Sequence, residues 1–394
     1  MSVAQFLAMQ IWFNFSAVMP VIEQEWGLTP TQSGIIIAFF HVGYVIAILF
    51  YSFLIDKYNP KYSFVFGALV AGIAGIIFAL FAQGFWSTLI LRMISGIGIA
   101  GIYVPGMRIL SGLFPPKERG KALGVYVGSL VVGSGFSLFV SGLFIEFIGW
   151  QGVILLTSSF CIIAAILMYT LSIPTVKSTG QNLALQWQTF KKVFRKPNLL
   201  VNGGYAGHCW ELYAMWAWIG PFLVYYFTVQ GFAQSDAIRF GNMAGALVIM
   251  IGGIATYIGG RLSDHIGRIK AINLFLVISI LCSLFIGWLT TLPLIVMLTL
   301  ASIYGFTIVA DSPIYNVSIT EVADPEVLGL ALGVQSVLGF SVTIFSPIIF
   351  GIVLESFSWG MAFTVIGIGT ILAPICMLLL SKIQHQTNLL RGSK

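Results

Sequence analysis

Five ionisable side chains stand inside stretches that are otherwise apolar: His41, Arg92, Arg108, Glu211 and Asp311. Ionisable groups in hydrocarbon are costly, and where they occur they mark solute or proton pathways by default. Glu211 is the sharpest of the five. It belongs to Gly207-His208-Cys209-Trp210-Glu211-Leu212-Tyr213-Ala214-Met215-Trp216-Ala217-Trp218, one turn after His208 and shortly before Tyr213, Trp216 and Trp218. A carboxylate in that apolar, aromatic setting can take up and release a proton. Equally, it can form a salt bridge, with Arg108 as partner, that fixes helix packing. Asp311 is a second candidate proton carrier. Arg92 and His41 lie about two turns inside one end of their stretches, and Tyr44 shares the His41 face at three-residue spacing. Both can meet a bound solute there. The structural alternatives are an arginine bonded to neighbouring carbonyls and a histidine packed with one partner. Arg108 stands close enough to the opposite end to snorkel into water.

The elements that must hold these groups are membrane helices. Hydrophobic residues make up 58% of the 394-residue chain, charged residues only 8%, and mean hydropathy is +0.98. Soluble chains carry roughly 25% charged residues, so a soluble multidomain protein is excluded. Apolar runs of about 20 residues without strict alternation indicate helices rather than a barrel. The 43 glycines and 14 prolines suit closely packed membrane helices. Net charge is +6, but the basic residues fall in alternate loops, so the excess reads as topology and no nucleic-acid partner is expected. Cys161, Cys209, Cys282 and Cys376 all fall in predicted spans without metal-ligand spacing, and neither a metal nor a disulfide framework is expected. The N-terminal apolar segment has no basic n-region and runs straight into a second span, so no cleaved leader is predicted.

Orientation follows from the segment 173–197, which carries Lys177, Lys191, Lys192, Arg195 and Lys196 and no acidic residue. A basic run beside membrane spans marks the cytoplasmic side. Alternation from it predicts twelve helices, at 3–22, 34–55, 63–81, 87–114, two between 120 and 172 that turn at 146–151, 202–229, 236–259, 271–289, 294–319, 328–354 and 360–380. Both termini are then cytoplasmic, and every Lys and Arg is cytoplasmic except Arg92, Arg108 and Arg239. The expected organisation is an N-terminal six-helix bundle at 1–172, a basic linker at 173–198, and a C-terminal six-helix bundle with a short tail at 199–394. The halves also repeat. Leu54-Ile55-Asp56 answers Leu262-Ser263-Asp264 at an offset of 208 residues, Pro105 answers Pro313 at the same offset, and Gly120–Val125 answers Gly329–Val334 one residue later. Parallel six-helix repeats place a substrate path between them near mid-membrane.

Several of these segments resemble the major facilitator superfamily. Its cytoplasmic loop signature stands as Gly260-Arg261-Leu262-Ser263-Asp264-His265-Ile266-Gly267-Arg268, with a degraded first-half copy around Asp56. Leu91-Arg92-Met93-Ile94-Ser95-Gly96-Ile97-Gly98 and Phe114-Pro115-Pro116-Lys117-Glu118-Arg119-Gly120 are similar to the family's patterns along and after its fourth helix. The resemblance covers essentially the whole chain. It implies that Asp264 with Arg268, and Asp56 with Arg119, form charge pairs that lock the cytoplasmic face, with Gly260 and Gly267 completing the signature. The alternative is solvated surface pairs worth about 0–1 kcal/mol. The 128–142 region has no Gly-Pro pair, which departs from drug/proton antiporters. No Gly-Asn-x-Gly-Gly pattern marks a nitrate porter. Within the family, the chain looks like a prokaryotic subgroup loosely similar to nitrate and cyanate permeases.

The expected function is secondary transport of a small solute by alternating access in the cytoplasmic membrane, coupled to protons and carried out by a monomer. Two arginines in the first half favour a small organic or inorganic anion. The aromatic cluster of the seventh span raises a cation cage as a rival idea, although Trp and Tyr are ordinary in membrane packing. Proton-coupled efflux of apolar compounds is an alternative within the class. A non-transporting receptor or scaffold is the alternative outside it. Neither a nucleotide-binding loop nor a catalytic metal motif such as His-Glu-x-x-His is present, so no enzyme activity and no cofactor are expected.

Overall fold

The computed structural model of the chain describes residues 1–173 and 191–387, and only the backbone at 49, 52–57, 116, 117, 119, 120, 325 and 384–387. All regular structure among the described residues is helical. In order it comprises α1 (Ser2–Ala8), α2 (Asn14–Trp26), α3 (Pro30–Lys57), α4 (Pro60–Phe81), α5 (Gly84–Leu113) and α6 (Pro116–Thr170). There follow α7 (Lys196–Val229), α8 (Gln234–Ile266), α9 (Arg268–Ile286), α10 (Leu294–Ala310) and α11 (Ser312–Val322). The series ends with α12 (Leu328–Ser356), α13 (Trp359–Thr370) and α14 (Leu372–Thr387). Eleven stretches are long and apolar enough to cross a bilayer, one of them the 50-residue Lys121–Thr170. A crossing needs about 20 residues, and α6 kinks at Gly149, where φ 67° and ψ 176° leave the helical region. A residue without Cβ adopts that φ without strain, so the turn expected at 146–151 falls on its glycine.

Three spans expected to be continuous are interrupted. The first breaks between α1 and α2 through a 3-10 turn at Met9–Ile11 and a non-helical Phe13 (φ −114°, ψ 12°). The tenth breaks at Asp311, between α10 and α11, and the last at Ile371, between α13 and α14. Pro313 and Pro374 explain the latter two, since proline removes an N–H and its ring presses on the preceding turn. No proline stands at the first break. There the carbonyls released from the helix are taken up by side chains: Ser137 Oγ donates to Gln10 O at 2.5 Å, and Arg92 serves the next two.

By packing, the chain divides into two compact units. One comprises Met1–Gly180, Trp216–Met250 and Pro347–Glu355; the other comprises Gln181–Met215, Ile251–Ser346 and Ser356–Lys394. In the first unit, α3 and α4 both run along α5. Glycine makes this approach possible: a Cβ on Gly96 would strike the Phe40 carbonyl, and one on Gly43 the Met93 carbonyl. Small residues are what let membrane helices touch backbone to backbone. The same unit joins α2 to α8 through Asn242, whose Nδ2 donates to Ala17 O at 2.9 Å. In the second unit, α9 packs on α10, α13 and α14 around Ile272, Phe275, Leu276, Tyr315 and Met377. The linker positions 174–190 lie outside the described residues. Their described continuation binds the segment before α12, with Lys192 Nζ 2.5 Å from Glu326 and Arg195 Nη1 2.9 Å from Asp324.

Candidate functional site

The second unit gathers three of the buried candidates. His208 and Glu211 are three residues apart on α7 and therefore share one face. Asp311 and Ser312 occupy the α10–α11 break. His208 Nδ1 lies 2.8 Å from Asp311 Oδ1, and its Nε2 lies 2.6 Å from Ser312 Oγ. The His208 and Asp311 side chains are 2% and 1% exposed. Neither Asp311 oxygen has a partner in hydrogen-bond geometry, so His208 meets Asp311 Oδ1 as a close charge contact rather than an aligned hydrogen bond. Asp311 caps the joint between α10 and α11, its backbone carbonyl accepting from Ile314 and Tyr315 N–H at 2.9 and 3.2 Å. The rings of Tyr205 and Tyr315 flank the imidazole at 5.9 and 5.7 Å.

Glu211 is 1% exposed. Ser279 Oγ on α9 donates to its Oε2 at 3.0 Å. The hydroxyls of Tyr304 and Thr370 face the same carboxylate, while Oε1 takes no direct hydrogen bond. Asp311 is near enough for its charge to act on Glu211. Two carboxylates and one imidazole thus form a single electrostatic group in an apolar interior. Isolated charges are expensive there, and proton exchange is the way such a group changes its charge. The order hydroxyl, imidazole, carboxylate is also that of a nucleophilic triad. Buried among membrane helices, the same chain of atoms is suited to holding a proton.

In the first unit, Arg92 is 3% exposed and has no carboxylate partner among the described residues. Its Nη1 donates to Ile11 O at 2.9 Å and to Asn14 Oδ1 at 3.0 Å, and its Nη2 donates to Trp12 O at 3.0 Å. Asn14 Nδ2 donates in turn to Thr157 at 3.0 Å. The Phe40 ring lies 4.5 Å from the guanidinium carbon, within cation–π range. His41 and Tyr44 are buried beside the Trp12 ring, at 6.3 and 5.7 Å. Arg108 is half-buried on α5. The α7 aromatics each meet another ring: Tyr213 on Phe340 at 5.6 Å, Trp216 edge-on to Phe13 at 5.8 Å, and Trp218 stacked on Phe350 at 4.9 Å.

At the α8–α9 turn, Gly267 has φ 92° and a Cβ at Gly260 would meet open space. Arg268 bonds Asp264, donates to Ser263 Oγ at 2.8 Å, and reaches Glu321 Oε1 on α11 at 3.2 Å. The Asp56 and Arg119 side chains lie outside the described residues. Sequence reasoning passed over Ser279, Ser312, Asn14 and Glu321 as site residues. Asn14 carried a readable signal, being a polar amide within an apolar run. Single serines did not, since a helical serine ordinarily bonds its own preceding turn.

Long broken helices with charge held at the breaks define a class, the multi-pass helical transporters. The model of the Major Facilitator Superfamily matches residues 1–347, and the chain belongs to that family. It is 24% identical over 375 residues to a protein of Haemophilus influenzae provisionally named for metabolite transport, covering 89% of this chain and 87% of that one. To the provisionally named niacin/nicotinamide transporter NiaP of Bacillus subtilis it is 22% identical over 381 residues, covering 95% and 92%. Against the nitrate/nitrite transporter NrtP of a Picosynechococcus strain, identity is 36% over 142 residues, which is 36% of this chain and only 26% of that protein. Among solved structures, the fold is similar to a bacterial homologue of the human lysosomal transporter Spinster in an inward-facing, occupied conformation. The TM-score there is 0.77 at 16% identity, covering 97% of this chain and 95% of that one. It is also similar to the nucleoside transporter NupG, with TM-score 0.79 at 12% identity over 96% and 98% of the chains.

Proposed function

We propose that this member of the family carries a small anion across the cytoplasmic membrane and couples its movement to protons through Glu211. Glu211 itself carries the reading: a carboxylate 1% exposed, on a membrane helix, with one direct hydrogen bond from Ser279. An acid so placed works by exchanging its charge for a proton. Counting α6 as two crossings gives twelve, and the basic loops then set both termini inside. The two six-span halves on either side of the 173–198 linker act as rocking bodies of a monomer, and Arg268 with Asp264 and Glu321 latches the cytoplasmic ends. Anion preference is supported by the fixed guanidinium of Arg92 in the first half. The naming of NrtP for nitrate and nitrite, and of NiaP for niacin, supports it too. Arg92 acts on the anion as a fixed positive field, its Nη1 and Nη2 donors being held at the α1–α2 break while Nε is left without a hydrogen bond. His41, Tyr44 and the α7 aromatics line the same reading as packing that shapes the path.

The test is uptake into liposomes of labelled nitrate and nicotinate under an imposed proton gradient. One of these anions accumulates in the wild type. In Glu211→Gln, accumulation is lost while exchange of labelled for unlabelled anion continues. Transport confined to lipophilic cations would overturn the anion assignment and favour efflux of apolar compounds. Anion accumulation that survives Glu211→Gln would remove Glu211 as the coupling group.

A further inference from the structure

We infer that His208 is a second proton-binding group beside Glu211, and that Ser312 is the positioning residue that passes its charge state to the α10–α11 break. This rests on the proton-coupled reading above and adds to it a site and a stoichiometry of two protons per cycle. His208 Nε2 is hydrogen-bonded to Ser312 Oγ at 2.6 Å, and Nδ1 lies 2.8 Å from Asp311 Oδ1 as a charge contact outside hydrogen-bond alignment. Two bonding states satisfy these contacts. In the first, Nδ1–H stands against the Asp311 carboxylate and Nε2 accepts the Ser312 hydroxyl, so the trio carries one negative charge. In the second, one proton from water has bonded to Nε2. The imidazolium then pairs with Asp311 by charge and donates from Nε2, Ser312 Oγ becomes an acceptor, and its hydroxyl hydrogen turns away. No other bond changes, and the trio is neutral.

Ser312 matters because of its place in the chain. It opens α11, directly after the break at Asp311. Reversing its hydrogen bond changes how the first turn of α11 is tied to α7. A bond made to the ring in one state and from it in the other is a two-state element of the kind that couples charge to helix direction. Titratable groups surround the ring and the Asp311 and Tyr315 side chains beside it. Tyr205, Cys209 and Glu211 come from its own helix, Asp311 and Tyr315 from the α10–α11 region, and Cys376 from α14. Gln335 of α12, which donates to Tyr315 O at 3.4 Å, is uncharged. The only cation this set can form is the His208 imidazolium. With both sites empty the group carries two negative charges, and with both filled it is neutral. Neutrality is the state an apolar interior favours.

The experiment needs no solute. Protein with isotope-labelled histidine rings, in liposomes, is examined by infrared difference spectroscopy across the imidazole range, about pH 5 to 8. The chain has four histidines, so His208 is assigned by loss of its ring bands in His208→Gln. The expected wild-type spectrum shows conversion of imidazole to imidazolium at His208, and a carboxylic acid band that Glu211→Gln removes. An indicator dye counts two protons taken up by the wild type and one by each variant. Ser312→Ala retains the His208 band but moves its midpoint, and Ser312→Thr restores it. A histidine signal unchanged by His208→Gln, with the carboxylic acid band still present, overturns the inference and leaves Glu211 coupling intact. A wild type without the carboxylic acid band overturns the proton-coupled reading instead. Because the labelled wild type is read directly, a variant that fails to fold does not rescue the proposal.

Discussion

Arg92 and the His208–Asp311–Glu211 group are both buried charges at a broken helix, yet they are completed in opposite ways. At Arg92 the break supplies acceptors: two backbone carbonyls and the Asn14 amide take three donors of a guanidinium. At Asp311 the break supplies another charge. Around it stand one imidazole, a second carboxylate and a few hydroxyls. The sequence repeat sharpens the contrast, because Tyr103 stands where Asp311 does at the 208-residue offset. Tyr103 stacks on Tyr126 at 6.1 Å, with the rings 11° from parallel. One half therefore has an uncharged aromatic where the other has an acid. A cation held by fixed dipoles is stable in a single state. Acids with few donors have a second state within reach, through a proton. On the proposed reading, the first site supplies a static field and the second a changing charge.

The largest effect is expected where that division is attacked directly. Glu211→Gln abolishes gradient-driven accumulation and spares exchange, at little change in melting temperature. Arg92→Met acts first on stability. It strands the Ile11 and Trp12 carbonyls and the Asn14 amide oxygen, and should lower stability by about 1–3 kcal/mol for each buried acceptor left unsatisfied. Arg92→Lys recovers only part of this, because an ammonium lacks the planar fork that reaches three acceptors. Thermal unfolding in detergent reads both. An Arg92→Met variant that melts like the wild type yet binds no anion would turn the first site from a structural one into a binding one, and the comparison would fail.

Next in size is the packing that holds α5 in place. Gly96→Ala puts a methyl against the Phe40 carbonyl, beside the ring that covers the Arg92 guanidinium. Overpacking of this kind costs about 1–3 kcal/mol. The melting temperature should fall without any change in proton uptake. Loss of proton uptake at the second site would mean that the two regions are not separable.

How far these sites could be read from the chain differs by residue. The spans follow from hydropathy, and the turn inside α6 from a glycine between two apolar runs. The break at Asp311 had a local sign in Pro313, which marks the interruption of a helix. The break at Met9–Phe13 had none, since it depends on Ser137 and Arg92 capturing carbonyls from elsewhere in the chain. The same contact decides what Arg92 does, and from the sequence both carbonyl binding and solute binding were open. Glu211, His208 and Asp311 were each legible as buried charge. Their assembly was not, because it rests on the break turning Ser312 and Asp311 towards α7. Glu321 was visible as a loop acid, but its bond to Arg268 is tertiary and has no periodic signature.

The smallest effect belongs to the exposed charge pairs, and it tests the comparison from outside. Lys192 bonds Glu326 at 2.5 Å, with the Glu326 side chain 75% exposed. The hydrogen bond and charge of Lys192 hold the Glu326 carboxyl below its ordinary 4.5. A lowered folded-state value means that the folded chain binds protons less readily than the unfolded one. The contribution is therefore complete above the ordinary carboxylate range and is lost as pH falls through the folded-state value. Melting the wild type beside Glu326→Gln should show a small stabilising difference at neutral pH that vanishes in acid. Salt should also erase it, because ions screen exposed pairs and hardly reach buried ones. The His208 infrared signal, by contrast, should be the same at low and high salt. Should salt move the His208 signal as it moves the Glu326 difference, the second site is open to solvent, and a solvated cluster has no need of protons to become neutral.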